Sequence, residues 1–179
     1  AVHRVFAVVV EAGCVRFTRG ETDVPVFMRS CAKPFQALAV VESGAAEAFG
    51  LTGPERAVVC GSHSGERIHV EAVRSILRKA GLTPAALRCG VHPPISNRGM
   101  QELYGAGGKP SALHNNCSGK HAGMLAAARH LGLAVRAYLD PGHPVQRLNL
   151  ANVARFSGIP ERRIPVGIDG CSAPTFALS

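Results

Sequence analysis

The sequence predicts a domain of the α/β or α+β class. Short β-branched runs alternate with stretches of helical periodicity along the chain. Composition is that of an ordinary globular protein, 46% hydrophobic and 18% charged over 179 residues, with no low-complexity tract or internal repeat. Three polar, glycine-marked segments, 30–33, 61–66 and 115–121, fall where a strand or loop feeds a helix. Such junctions offer free backbone N–H groups to anions.

Residues 5–11 form a first apolar run, predicting a buried strand, broken by Ala12-Gly13 and followed by a second strand over 14–18 as a hairpin. An extended piece over 24–28 leads to Arg29-Ser30-Cys31-Ala32-Lys33-Pro34. From Phe35 the periodicity predicts a helix to about Phe49, stopped by Gly50, with Lys33 at its entrance and Pro34 in its first turn. The apolar run 57–60 predicts a short buried strand. The helix that follows carries Val70, Val73, Ile76 and Leu77 on one face and ends at Gly81, with Ser64 its expected N-cap. Residues 88–111 read as loop. A helix then opens around His114–Lys120 and stops at Gly132, another covers 144–156, and 164–168 predicts a buried strand.

The net charge is +8, but the basic residues are scattered and tryptophan is absent, which argues against a nucleic-acid partner. The apolar run near the start is far shorter than the ~20 residues a membrane span requires. Six cysteines without a C-x-x-C pair predict reduced thiols and a cytoplasmic location.

Ser30-x-x-Lys33 places a hydroxyl and an amine one helical turn apart. A serine becomes a nucleophile when a base takes its proton, and a lysine serves as that base once burial or neighbouring positive charge, here Arg29, lowers its pKa. The same spacing is the nucleophile element of the penicillin-recognising acyl-transfer enzymes. By itself it is also compatible with a capping serine near a surface lysine. Gly61-Ser62-His63-Ser64-Gly65-Glu66 offers a second hydroxyl, Ser62, and a substrate-gripping carboxylate. Cys117, Cys171 and their His, Lys and Asp neighbours suit either a zinc site or buried structural thiols, and their spacing matches no zinc finger. Ser118-Gly119-Lys120 lacks the leading G-x-x-x-x of a phosphate loop.

Taken together, 29–36, 62–66, 114–124 and 167–171 resemble the Rhizobium etli-type L-asparaginases, the asparaginase II or class 3 group. The similarity runs the length of the chain in family order and is most specific over 114–124. The resemblance implies a serine β-lactamase-like fold with a mixed sheet flanked by helices. It also implies hydrolysis of L-asparagine to aspartate and ammonia by a homodimer. It further implies Ser30, Lys33 and Ser62 as catalytic residues, with Arg29, His63, Glu66 and Asn116 contacting substrate. Zinc would be held by Cys117, Lys120 and Cys171, with Asp169 as an outer partner. Residues 1–179 are expected to be the N-terminal portion of a single domain that continues beyond residue 179, where the lysine partner of Ser62 would lie. The competing expectations are a glutaminase or β-lactam-type hydrolase, and a zinc-stabilised binding module without catalysis.

Overall fold

The computed structural model describes residues 1–179. Ala7–Glu11 (β1) and Cys14–Arg19 (β2) form the expected hairpin. Its two-residue loop, Ala12-Gly13, has φ of +49° and +78°. Two left-handed residues match the right-handed twist of the flanking strands. Contrary to the expectation of a buried strand, β1 and β2 are exposed almost throughout. They pair with each other and form a sheet of their own.

A second sheet has the order β3-β5-β4: Val26–Phe27 (β3), Pro174–Leu178 (β5) and Val166–Ile168 (β4). All strand pairs are antiparallel, so two small antiparallel sheets stand where one mixed sheet was expected. The central β5 is buried, whereas β4 faces outward. Of the predicted buried strand at 164–168, Ile164 alone enters the core.

Seven helices make up most of the domain, giving the α+β class. They are Lys33–Glu42 (α1), Ala45–Ala48 (α2), Gly53–Cys60 (α3), Arg67–Lys79 (α4), Asn97–Gly105 (α5), Ser118–His130 (α6) and Pro144–Ser157 (α7). The single helix expected over 35–49 is divided at Gly44, whose φ of +80° ends α1 and starts α2. The strand expected at 57–60 is instead the last turn of α3. Thr52 and Glu55 close a capping box with Pro54 in the first turn, committing the segment to helix before its apolar run begins. Val58 and Val59 then face inward while Ala57 and Cys60 face out. The loop expected at 88–111 contains α5, N-capped by Ser96 Oγ accepting from the Gly99 N–H at 3.0 Å. The N-cap of α4 is Glu66 rather than Ser64.

The core is built around α6, whose residues from Ser118 to Ala128 are all buried. A helix enclosed on every side has no solvent face to mark it in the sequence. It meets α3 at backbone contact, and the approach rests on Gly119: a Cβ there would lie 2.0 Å from the Val58 carbonyl oxygen. One turn on, a Cβ at Gly123 would meet Val59 Cγ1 at 2.6 Å. A smaller apolar cluster of Ala32, Leu150, Val153, Ile164 and Phe176 fixes the start of α1 against α7 and β5. No helix is long and apolar enough to cross a membrane.

Candidate active site

The site forms where the entrance of α1, the end of α3 and the start of α6 converge beside β5. Residues 29–32 make one 3-10 turn into α1, with Lys33 first in the helix and Pro34 second, as the sequence predicts. Strand β5 sets this entrance: the Met28 N–H donates to the Phe176 carbonyl at 2.8 Å and the Arg29 N–H to Thr175 Oγ1 at 3.2 Å. Arg29 is held at φ +47°, an unusual region for a residue with a side chain. The guanidinium is largely exposed and pairs with Asp169 at 3.2 Å.

Lys33 is 1% exposed. Its Nζ lies 2.7 Å from Ser62 Oγ and 3.4 Å from the Asn116 carbonyl oxygen. Ser62 Oγ in turn lies 3.1 Å from Ser30 Oγ. The amine therefore meets Ser62 first, and Ser62 links it to Ser30. Burial pushes the Lys33 pKa down; Cys117 pulls the other way and the positive charge of Lys120 adds to the lowering. The two hydroxyls are exposed at the end of this chain while the amine behind them is enclosed.

His63 is buried with both ring nitrogens engaged. Nδ1 accepts from the Gly65 N–H at 3.2 Å, so the ring proton sits on Nε2 and is donated to Ser118 Oγ at 2.8 Å. Burial, then the nearby charges of His69, Lys33 and His114, push its pKa down to about 4. His63 thus acts as a neutral tie between the 61–66 turn and α6. Glu66 is likewise occupied: one carboxylate oxygen accepts from Ser64 Oγ and Ser96 Oγ, each at 3.0 Å, which ties the turn to α5. Asn116 contributes its carbonyl oxygen, which accepts from Lys33 and from the His63 N–H, and its side-chain amide makes no hydrogen bond.

Asn115 is a site residue that the sequence reading missed. Its Oδ1 accepts from the Cys117 N–H at 2.9 Å, and its Nδ2 donates to the Cys89 carbonyl at 2.8 Å. These two bonds fix the entry to α6. The Asn-Asn doublet before Cys117 was the available signal, since asparagine commonly bonds its own backbone two residues on.

Cys117, Lys120 and Cys171 come together, all nearly inaccessible. Lys120 Nζ is 3.2 Å from Cys171 Sγ. Cys117 chiefly lowers the Cys171 pKa, with His121 and Lys120 assisting, and Cys171 in turn raises that of Cys117. Cys171 is placed by a tight turn in which the Asp169 N–H donates to the Ala173 carbonyl at 2.9 Å and the Ser172 N–H to the Asp169 carbonyl at 2.8 Å. No three of His, Cys, Asp and Glu are grouped so as to hold a metal ion by themselves. This cluster lies beside Lys33, whose pKa Cys117 raises and Lys120 lowers.

The family model for L-asparaginase II matches residues 1–179, the whole of this chain. The chain belongs to the L-asparaginase II family. No curated protein matches it. Membership in the L-asparaginase II family makes the protein a hydrolase of the asparaginase type, acting on an amide of a small-molecule substrate. Two concavities offer room for such a substrate. Ser62 helps to line one of about 280 Å³, together with Gly61 and His69. Arg29, Asp169 and Thr175 help to line another of about 270 Å³.

Proposed function

We propose that the protein hydrolyses L-asparagine to L-aspartate and ammonia through a serine–lysine relay. The observation that carries this reading is the hydrogen-bonded chain from Lys33 through Ser62 to Ser30. In its neutral form the buried amine of Lys33 takes the Ser62 proton as Ser62 takes that of Ser30. The Ser30 oxygen then attacks the side-chain carboxamide carbon of asparagine. The C–N bond breaks as the relay returns a proton to the departing ammonia, leaving an aspartyl ester on Ser30. Water, deprotonated by the same relay, hydrolyses the ester and restores the serine. In this reading Arg29 pairs with the substrate's α-carboxylate and Asp169 with its α-ammonium group, supported by their lining one concavity. The free amide of Asn116 is a further polar contact. His63 and Glu66 serve by holding the Ser62 turn.

The donor set of Cys117, Lys120 and Cys171 fits zinc. Two buried sulfurs, one already biased toward thiolate, suit a borderline-soft cation, and the Lys120 amine binds it in its neutral form. When bound, zinc supplies a fixed positive charge next to the relay. Asp169, two residues before Cys171, is its outer partner through the turn that positions that sulfur. The proposed setting is a homodimer in the cytoplasm, consistent with six free thiols and with the exposed apolar hairpin.

The test is ammonia release from asparagine and from glutamine by the native protein and by Ser30→Ala. Release from asparagine that the substitution reduces at least ~100-fold is expected. Undiminished release would overturn the serine mechanism. Glutamine cleaved as well as asparagine would move the assignment to a glutaminase.

A further inference from the structure

The relay fixes where the leaving nitrogen of the amide stands. Lys33 is 1% exposed, and its amine meets Ser62 Oγ at 2.7 Å, whereas Ser62 and Ser30 are both exposed. When the C–N bond is about to break, the Ser30 oxygen is already bonded to the acyl carbon. The proton that the departing nitrogen takes therefore comes from the Ser62 hydroxyl. That nitrogen lies against Ser62, and any group it carries extends on the Ser62 side of the site.

On that side is the concavity of about 280 Å³ that Ser62 helps to line. A molecule the size of water or ammonia needs only ~15 Å³ of such space. Helix α3 supplies Ala57 and Val58 to its wall, and α4 supplies Ile68 and Ala72. Ile68 is 61% exposed and belongs to neither core cluster. The His69 ring lies in the same wall, stacked on His63 with centroids 5.3 Å apart and planes at 15°. No carboxylate, lysine or arginine lines this space. The concavity beside Ser30 is the reverse, since the Arg29–Asp169 ion pair lies in its wall. The charged head of an amino acid is matched by that second space, and the first is left for something apolar.

We infer that the concavity between α3 and α4 is an amine subsite, and that the protein hydrolyses β-amides of L-aspartate whose nitrogen carries a small aliphatic chain, as well as asparagine. This rests on the asparaginase reading and widens its substrate class. The chain on the nitrogen lies along Ala57, Ile68 and Ala72. The Ser30 oxygen bonds to the β-carbonyl carbon while its proton passes to Ser62 and that of Ser62 to Lys33. The C–N bond then breaks with its electron pair on nitrogen, which takes the Ser62 proton as Lys33 replaces it. The nitrogen leaves as a primary amine, and water hydrolyses the ester to aspartate.

The experiment follows aspartate formation by the native protein from asparagine and from its N4-methyl, N4-ethyl and N4-propyl derivatives. All four should be cleaved, with KM falling ~3–4-fold for each methylene added from methyl to propyl. Ala72→Leu puts a side chain into the concavity, and should raise KM for the propyl derivative at least ~10-fold while asparagine cleavage stays within ~3-fold. Ile68→Ser, at an exposed position, should raise the propyl KM at least ~3-fold. Asparagine cleaved with no aspartate from the propyl derivative, or a KM that does not fall along the series, would overturn the inference. So would a propyl KM that Ala72→Leu leaves unchanged. Should that variant fail to fold, an unchanged propyl KM in Ile68→Ser would overturn it instead. A native protein that forms no aspartate from asparagine would remove the asparaginase reading itself, a failure distinct from the others.

Discussion

In the β1–β2 hairpin, Val8, Val10, Val15 and Phe17 stand about half exposed, whereas Ser118, Lys120 and His121 at the start of α6 are buried. The hairpin is the more apolar segment and the α6 entrance the more polar one. What separates them is the number of elements that pack around each. The hairpin pairs only with itself, while α6 is enclosed by α1, α3, α4 and α7. A polar group that topology places inside must find partners inside, and the partners it finds are other reactive groups. The chemistry of the domain is therefore concentrated at the enclosed end.

The comparison is most easily broken at Gly119. A valine there would drive its side chain into the Val58 carbonyl and separate α3 from α6. Loss of at least ~4 kcal/mol is expected in urea unfolding, against ~1–3 kcal/mol for Gly123→Ala, where the obstructing atoms belong to a side chain. Equal tolerance at the two positions would show that α6 is not anchored by backbone contact.

Glu55, 3% exposed in α3, tests how a buried charge is tolerated. Burial alone would raise its pKa, but Lys79 at 2.6 Å, the Thr52 N–H at 2.6 Å and the Ser75 hydroxyl together hold it at about 2, below the ordinary 4.5. A depressed folded-state pKa contributes stability that is fully present above the unfolded value and is lost as pH falls toward the folded one. Glu55→Gln should therefore cost roughly 2 kcal/mol near pH 7, with the partial exposure of Lys79 allowed for. The difference from the parent protein should close between about pH 4.5 and 2. A gap that stays constant across that window would mean the carboxylate is not held by charge.

The smallest effect belongs to the hairpin. Val8→Thr and Val10→Thr should each change thermal stability by less than ~0.5 kcal/mol, as for other half-exposed positions. A cost above ~1 kcal/mol would show a surface outside these residues covering the strands.

Much of the site could be read from the sequence because its residues are close together along the chain. Ser30-x-x-Lys33 and the run 114–124 were recognisable as local patterns, and Lys33 occupies the predicted place at the helix entrance. That Lys33 reaches Ser62 before Ser30 was not legible, since that bond spans 29 residues and depends on how α1 packs against α3. The Tyr138–His121 bond spans 17 residues and is hidden for the same reason. The strand expected at 57–60 was a misreading that local chemistry could have prevented: Thr52-x-x-Glu55 is a capping-box signature lying just before it. The buried strands expected at 5–11 and 164–168 failed differently, because an apolar run indicates that a strand forms and not that anything covers it.

The left-handed backbone of Arg29 has a practical consequence for anyone evolving this site. A randomised library at position 29 varies charge and conformational cost at once. Glycine, and to a lesser degree asparagine, relax the backbone while deleting the guanidinium; lysine keeps a positive charge and leaves the strain in place. On the role proposed for Arg29, selection for folding and selection for substrate capture rank the same substitutions in opposite order, and a screen that reads one output alone will misassign what arginine does there.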